Sequence, residues 1–246
     1  MHKVYLRFYE ELNDFLPEEK QKVRFEHSYI DRTSVKDMIE SFGVPHSEID
    51  LILVNGKSVD FNYLINDSDD ISVYPVFESI DISYIQHLRS KPLREPKFIL
   101  DIHLGKLARY LRMLGIDSAY KNNYSKKDMI KISLQEKRTI LTKDSNLLKN
   151  KEITHGYWIR SKNPKEQTKE VIRRFDLRNN FKEFTRCLVC NQILIKADKS
   201  EIEQKLPPKV KEHHDEFYQC PGCGLIFWKG THYIKMKDLI DSITKF

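Results

Sequence analysis

The chain has 246 residues, room for two or three domains, and its 40% hydrophobic and 32% charged residues are those of a globular protein, which excludes a disordered chain. No apolar run of about 18 residues and no charged-then-apolar leader is visible, so neither a membrane span nor an export signal is expected, and the expected location is cytoplasmic. The net charge of +6 is unevenly spread: residues 1–85 carry 8 Lys and Arg against 17 Asp and Glu, whereas 86–246 carry 34 against 19, which makes the second region the one expected to meet a polyanion.

In chain order, "VYLRFYEEL" and "KVRFEHS" alternate apolar and polar residues, with Val4, Leu6 and Phe8 on one face, and predict an opening hairpin. "TSVKDMIESFG" starts with cap-type residues, repeats Val35, Met38, Ile39 and Phe42 at helical spacing and stops at Gly43. "DLILVNGKSVD" predicts a strand with an Asn-Gly turn, and "DDISVYPVF" a last strand. This ββαββ order over residues 1–85 resembles the β-grasp, or ubiquitin-like, fold. Sulfur-carrier proteins share the order but need a free terminal Gly-Gly, which is missing here, so a structural or interaction module, with a protein partner, is the favoured reading.

Residues 86–96, "QHLRSKPLREP", are polar, basic and hold two prolines, as a linker does. Beyond them the period changes. "KFIL", "IDSAY", "RTILT" and "GYWIR" read as strands, alternating with helices over 103–114, 125–137 and 164–176, which predicts a parallel sheet with crossover helices over 97–182. In such a sheet the residues just past the strand ends line the functional crevice. Asp101, the amides Asn122 and Asn123, then Lys143 and Asp144, then Arg160 and Ser161 hold those positions. Carboxylates from separate strands with an amide between them suit Mg²⁺ or Mn²⁺. Either acid could instead cap the helix that follows it, and Asp128, three residues after Ser125, fits a capping box better than a site.

The helix after Asp101 places Leu104, Leu107, Ala108, Leu111 and Leu114 on one stripe, and Lys106, Arg109 and Arg112 are expected along a separate basic face able to hold phosphates. Downstream, Cys187-Leu-Val-Cys190 and Cys220-Pro-Gly-Cys223 are the only four cysteines, and two such knuckles make a closed tetrahedral Zn²⁺ site that is structural rather than catalytic. His213, His214 and His232 are then not needed as ligands. Around the second knuckle Phe217, Phe227 and Trp228 are either base-stacking groups or the small domain's own core.

"FILDIHLGKLARYLRMLGIDSAY", "ILTKD", "RCLVCN", "LPPKV" and "DEFYQCPGCGLIFWKGTHYIKM" resemble, in order, the Mut-seven C-terminal RNase family, a PIN-like nuclease domain over 97–182 joined to a zinc ribbon and C-terminal helix over 183–246. The N-terminal region is similar to the ubiquitin-like module often joined to that domain. The resemblance implies metal-dependent hydrolysis of RNA by acidic residues at the sheet edge, where Asp101 and Asp144 match the family's positions; the residues themselves add the expectation that Asn123 assists and that Lys106, Arg109, Arg112, Lys143 and Arg160 hold the RNA. The fold class is thus a multidomain α+β and α/β chain. One stretch departs from the family: where relatives commonly read tyrosine, acid, Asn, Asp, this chain reads Tyr120-Lys121-Asn122-Asn123, which removes two negative charges and adds a positive one. The alternative is a nonenzymatic RNA-binding or ribosome-associated protein with a degenerate site.

Overall fold

The computed structural model describes residues 1–75, 88 and 96–245. The expected linker and the end of the first domain, 76–85, lie outside the described residues except for Leu88 and Pro96. The chain divides into two compact units, Met1–Glu95 with Asp144–Trp158, and Pro96–Lys143 with Ile159–Phe246.

In the first unit β1 (His2–Phe8) pairs antiparallel with β2 (Phe25–Tyr29), as the alternation predicts. Val4, Leu6 and Phe8 are buried against α1 (Val35–Ser41), whose Ser34 side chain caps the amide of Asp37. Two further strands, β3 (Ile49–Val54) and β4 (Lys57–Ser58), join through Asn55 and Gly56, both at positive φ, 51° and 78°, as a tight hairpin turn requires. With β5 (Asp70–Pro75) the sheet order is β2-β1-β5-β3-β4, β1 running parallel to β5 in the ubiquitin-like manner.

The segment 144–158, which ends in β9 (Gly156–Trp158), packs in this same unit. Three consecutive residues hold it: His46 Nε2 faces the Ile153 carbonyl at 3.0 Å, Ser47 Oγ donates to Leu148 O at 3.0 Å, and Glu48 Oε1 accepts from the Trp158 amide at 2.6 Å. His46 Nδ1 lies 2.6 Å from Glu40 Oε1, so both ring nitrogens meet oxygen atoms. Burial pushes the Glu40 carboxyl up, but the hydrogen bond and charge of His46 outweigh it and hold the group below its ordinary range.

The second unit begins with β6 (Lys97–Leu100), flanked by β7 (Asp117–Ala119) and β8 (Thr139–Thr142), both parallel to it. Crossovers are α2 (Gly105–Met113) and α3 (Lys126–Glu136), the latter opened by a full Ser125–Asp128 capping box, which settles Asp128 as structural. Gly115 ends α2 at φ 81°, where any Cβ would meet the Lys182 carbonyl. After α4 (Pro164–Arg174) come β10 (Ile195–Ala197), α5 (Lys199–Ile202), α6 (Pro208–His213), β11 (Phe217–Gln219), β12 (Ile226–Trp228) and α7 (Thr231–Thr244). β10, β11 and β12 form a small antiparallel sheet over a core of Ile202, Leu206 and Phe217. No helix among the described residues is long and apolar enough to cross a membrane.

Candidate functional site

Since β7, β6 and β8 are parallel, the residues that follow them leave the sheet at one edge. Asp101 sits there and is 7% exposed. Its Oδ1 accepts the His103 amide at 2.9 Å, and its Oδ2 accepts the Thr142 hydroxyl and the Lys143 amide, each at 2.6 Å. The carboxylate therefore caps the short turn Ile102–Leu104 and ties β6 to the end of β8. A carboxylate offers about four lone-pair positions, so three donors leave one, on Oδ1, open to a ligand. Capping and ligation are compatible in this geometry.

The apolar stripe of α2 is buried as expected, with Leu104, Leu107, Ala108, Leu111 and Leu114 all at or below 1% exposure, while Lys106 and Arg109 are exposed. Arg112 does not share their face. It is buried, and its guanidinium donates to Ser118 O at 2.9 Å, Leu188 O at 3.2 Å, Val189 O at 2.9 Å and Tyr120 O at 3.4 Å. A cation spent on four carbonyls is not a phosphate ligand. The same correction applies to Lys143, whose ammonium donates to the carbonyls of Ile159, Arg160 and Ser161 at 2.7, 3.1 and 3.2 Å. Arg160 and Ser161 present their amides to the two carboxylate oxygens of Glu170, which fixes that loop. Lys121, Asn122 and Asn123 are exposed in the turn after β7, and the Tyr120 hydroxyl donates to Ile102 O at 3.0 Å. Asp144 follows Lys143 in the chain but belongs to the first unit, where its Oδ1 accepts the Asn146 amide at 3.0 Å and closes a local turn.

The four cysteines converge. Their sulfurs all lie within 4.8 Å of one another, with Cys187 to Cys223 at 3.5 Å and Cys190 to Cys220 at 3.2 Å, close to the ~3.8 Å edge of a tetrahedron with 2.3 Å metal–sulfur bonds. Both knuckles close in the same way. Asn191 and Gly224 each take φ 73°, each donates its amide to the carbonyl of the first cysteine in its pair, and that cysteine's amide donates to Gln192 O or Leu225 O. Burial pushes the Cys190 thiol up to about 12; at Cys220 burial is outweighed by donation from the Cys223 and Gly222 amides and the Cys190 thiol, which brings it down to about 7. Among the described residues this is the only group of three or more His, Cys, Asp or Glu arranged to hold a metal ion; Asp101 and Asp144 belong to none. The cluster fits a metal such as zinc.

The first knuckle is also bolted to the sheet. Asn191 Oδ1 accepts the Ser118 amide and its amide nitrogen donates to Asp117 Oδ1, which also receives Arg138 Nη1 at 2.5 Å, with Arg186 Nη2 3.4 Å from Oδ2. Burial raises the Asp117 carboxyl, but the hydrogen bonds from Arg138 and Asn191 dominate and keep it below its ordinary range. With Arg112, this network makes the knuckle one wall of the unit that carries Asp101.

The Mut7-C RNAse domain matches residues 96–240, more than half of the chain, and the Mut7-C ubiquitin domain matches residues 1–81. The chain belongs to the Mut7-C RNAse domain family. Neither the curated proteins nor the solved structures gave a match. The Mut7-C RNAse match spans both the parallel sheet and the four-cysteine ribbon, in agreement with the network that joins them. Sequence reasoning missed Arg112 as a structural cation, although its place four residues after the buried Ala108 was a usable signal. The grip of 46–48 on 148–158 had no local signal.

Proposed function

We propose that this chain is a metal-dependent ribonuclease with a PIN-like active domain, hydrolysing RNA phosphodiester bonds at the sheet edge, and that its ribbon holds a structural Zn²⁺. The observation that carries the reading is Asp101, a buried carboxylate at the end of the central parallel strand, fixed by three donors and left with one open lone pair, in a chain of an RNAse family. Mg²⁺ and Mn²⁺ keep several waters and need only one or two protein carboxylates besides the substrate's phosphate, so a three-acid cage is not required. Asp101 and Asp144 are the proposed ligands, with the Asn123 amide oxygen assisting. When bound, such an ion activates water and neutralises charge on the phosphate. Lys106 and Arg109 hold the RNA backbone, and Arg160 lines its path. The N-terminal module, 1–85, is the proposed site of a protein partner.

A second reading is a nonenzymatic RNA-binding or ribosome-associated protein, which Lys121 and Asn123 favour, since together they remove negative charge from the turn after β7. One experiment separates the two. Labelled single-stranded and hairpin RNAs are incubated with zinc-loaded protein with and without Mn²⁺, alongside Asp144→Asn and a parallel binding assay. The nuclease reading expects Mn²⁺-dependent products that Asp144→Asn lowers by at least tenfold while binding is kept. Binding without products at any Mn²⁺ concentration would leave the second reading.

A further inference from the structure

The β11–β12 hairpin has two aromatic faces, and only one of them is used by the ribbon's core. Paired residues share a face, so Phe217 with Trp228 and Gln219 with Ile226 lie on one side, where Phe217 is fully buried. Tyr218 and Phe227, paired with each other, turn to the opposite side. There they border a cavity of about 330 Å³ together with Phe184, Tyr233 and Met236, and Trp228, which packs on the core, also contributes to its lining. The Phe184 and Tyr233 rings lie 4.7 Å apart at 53°. Phe184 is held at φ 56°, a conformation a bulky residue adopts only when its surroundings enforce it, here with its amide N–H donating to Met113 O at 2.8 Å.

We propose that this cavity is a site for one unpaired nucleobase of single-stranded RNA, an inference that rests on the reading of the chain as RNA-acting. Its volume is at the lower end of small-ligand pockets, which suits a single nucleobase and excludes a base pair with its backbone. Beside Thr185, Leu188, Leu194 and three charged residues, the lining holds planar rings and a thioether, which stack on a base of any identity. The charged groups of the lining are already matched: Glu183 with Lys237 at 2.6 Å, Lys229 with Glu216 at 2.8 Å, Arg186 with Asp117 at 3.4 Å. A phosphate gains little from such cations, whereas a neutral ring does not need them. The phosphates are left to the rest of this unit, since residues 97–143 and 159–182 carry 19 Lys and Arg against 7 Asp and Glu. Leu188 joins the two surfaces: it borders the cavity, and its carbonyl receives Arg112 from α2, the helix that exposes Lys106 and Arg109. Only an unstacked base offers its faces to such walls, so duplex RNA is excluded.

The test uses the full zinc-loaded chain without added divalent ions, so that cleavage does not interfere, and fluorescence anisotropy with a labelled twelve-nucleotide single-stranded RNA and its blunt duplex across a salt series. Phe227→Leu on β12 and Tyr233→Leu on α7 keep apolar volume and remove a stacking plane; zinc content and thermal melting report their fold, and two elements keep the test open if one variant misfolds. Expected is roughly a tenfold loss of single-strand affinity, the size of one lost base stack, with the salt dependence unchanged and duplex binding unaffected. Lys106→Ala should instead flatten the salt dependence by about one ion. Parent-like single-strand binding by a folded variant would overturn the proposal, as would an equal loss for duplex or a flattened salt slope. Absent cleavage with the Phe227→Leu effect intact would remove the nuclease reading alone, and cleavage with no Phe227→Leu effect would remove this inference alone.

Discussion

Arg112 is the residue whose replacement should reveal how far the metal knuckle and the nuclease sheet form one structure. It is 3% exposed, and three of its hydrogen bonds, to Ser118, Val189 and Leu188 carbonyls, are 3.2 Å or shorter. Burial lowers its guanidinium from the usual range, and the nearby Cys187, Cys190 and Asp117 partly restore it. Hydrogen bonds from a charged donor contribute about 1.5–3 kcal/mol each, while release from desolvation returns part of that, and breaking one side of a buried charged network costs about 3–5 kcal/mol in all. Arg112→Met, which fills the space and leaves the carbonyls unpaired, should therefore cost about 4 kcal/mol, a large share of a typical domain's 5–15 kcal/mol. At a urea slope of about 2 kcal/mol per M this lowers the unfolding midpoint by about 2 M. Arg112→Lys keeps the charge without the fork and should recover less than half of the loss. Because two of the carbonyls belong to the first knuckle, the same variant should release zinc to a chelator at least tenfold faster. An unchanged midpoint and unchanged zinc release in Arg112→Met would refute this reasoning.

Cys187→Ser or Cys223→Ser should lower zinc from one per chain and open residues 187–230 to protease; because Asn191 and Arg112 tie the knuckle to the sheet, melting should also shift for the whole second unit, by differential scanning calorimetry. Gly115→Ala meets the Lys182 carbonyl at positive φ and should destabilise by about 2–4 kcal/mol, read from denaturant midpoints. Asp101→Asn sets an amide against the donors of His103, Thr142 and Lys143, so a loss of about 1–3 kcal/mol should accompany any loss of activity. The Glu40 carboxyl lies below its ordinary value when folded, so its contribution is fully present above the unfolded carboxylate range and is lost as pH falls through the folded value. The melting difference between parent and Glu40→Gln should accordingly be full at pH 7, begin to shrink only once pH drops beneath the ordinary carboxylate range, and vanish only below the folded value. A difference that is constant across that range would show that the His46 contact does not act through charge.

The local rules carried far along this chain. Period-two alternation located β1, the stripe from Leu104 to Leu114 located α2, Ser125 and Asp128 announced a capping box, and the cysteine spacing announced a metal cluster. What was illegible depends on residues distant in sequence. Lys106, Arg109 and Arg112 read as one ridge, yet Arg112 lies only about 40° around the helix from Ala108, at the edge of the buried stripe. The backbone that covers it arrives 76 and 77 residues later. Lys143 reads as a free cation beside an acid because nothing local says that the carbonyls of 159–161 turn towards its ammonium. The clamp on 148–158 joins positions more than a hundred residues apart, and each of its side chains is an ordinary surface type in isolation. Phe217, Phe227 and Trp228 were ambiguous for a simpler reason: the register of β11 against β12 decides which rings face the core, and sequence does not state register.

The measurement that tests the nuclease reading most directly is the single-turnover cleavage rate of a single-stranded RNA as a function of Mn²⁺ concentration, compared between the parent and Asn123→Asp. Restoring a carboxylate in the turn after β7 adds negative charge where the reading places an amide ligand, so the rate should saturate with Mn²⁺ in both proteins and the half-saturating concentration should fall about tenfold or more in Asn123→Asp, with zinc content unchanged. No cleavage by either protein at any Mn²⁺ concentration, with RNA still bound, would contradict it.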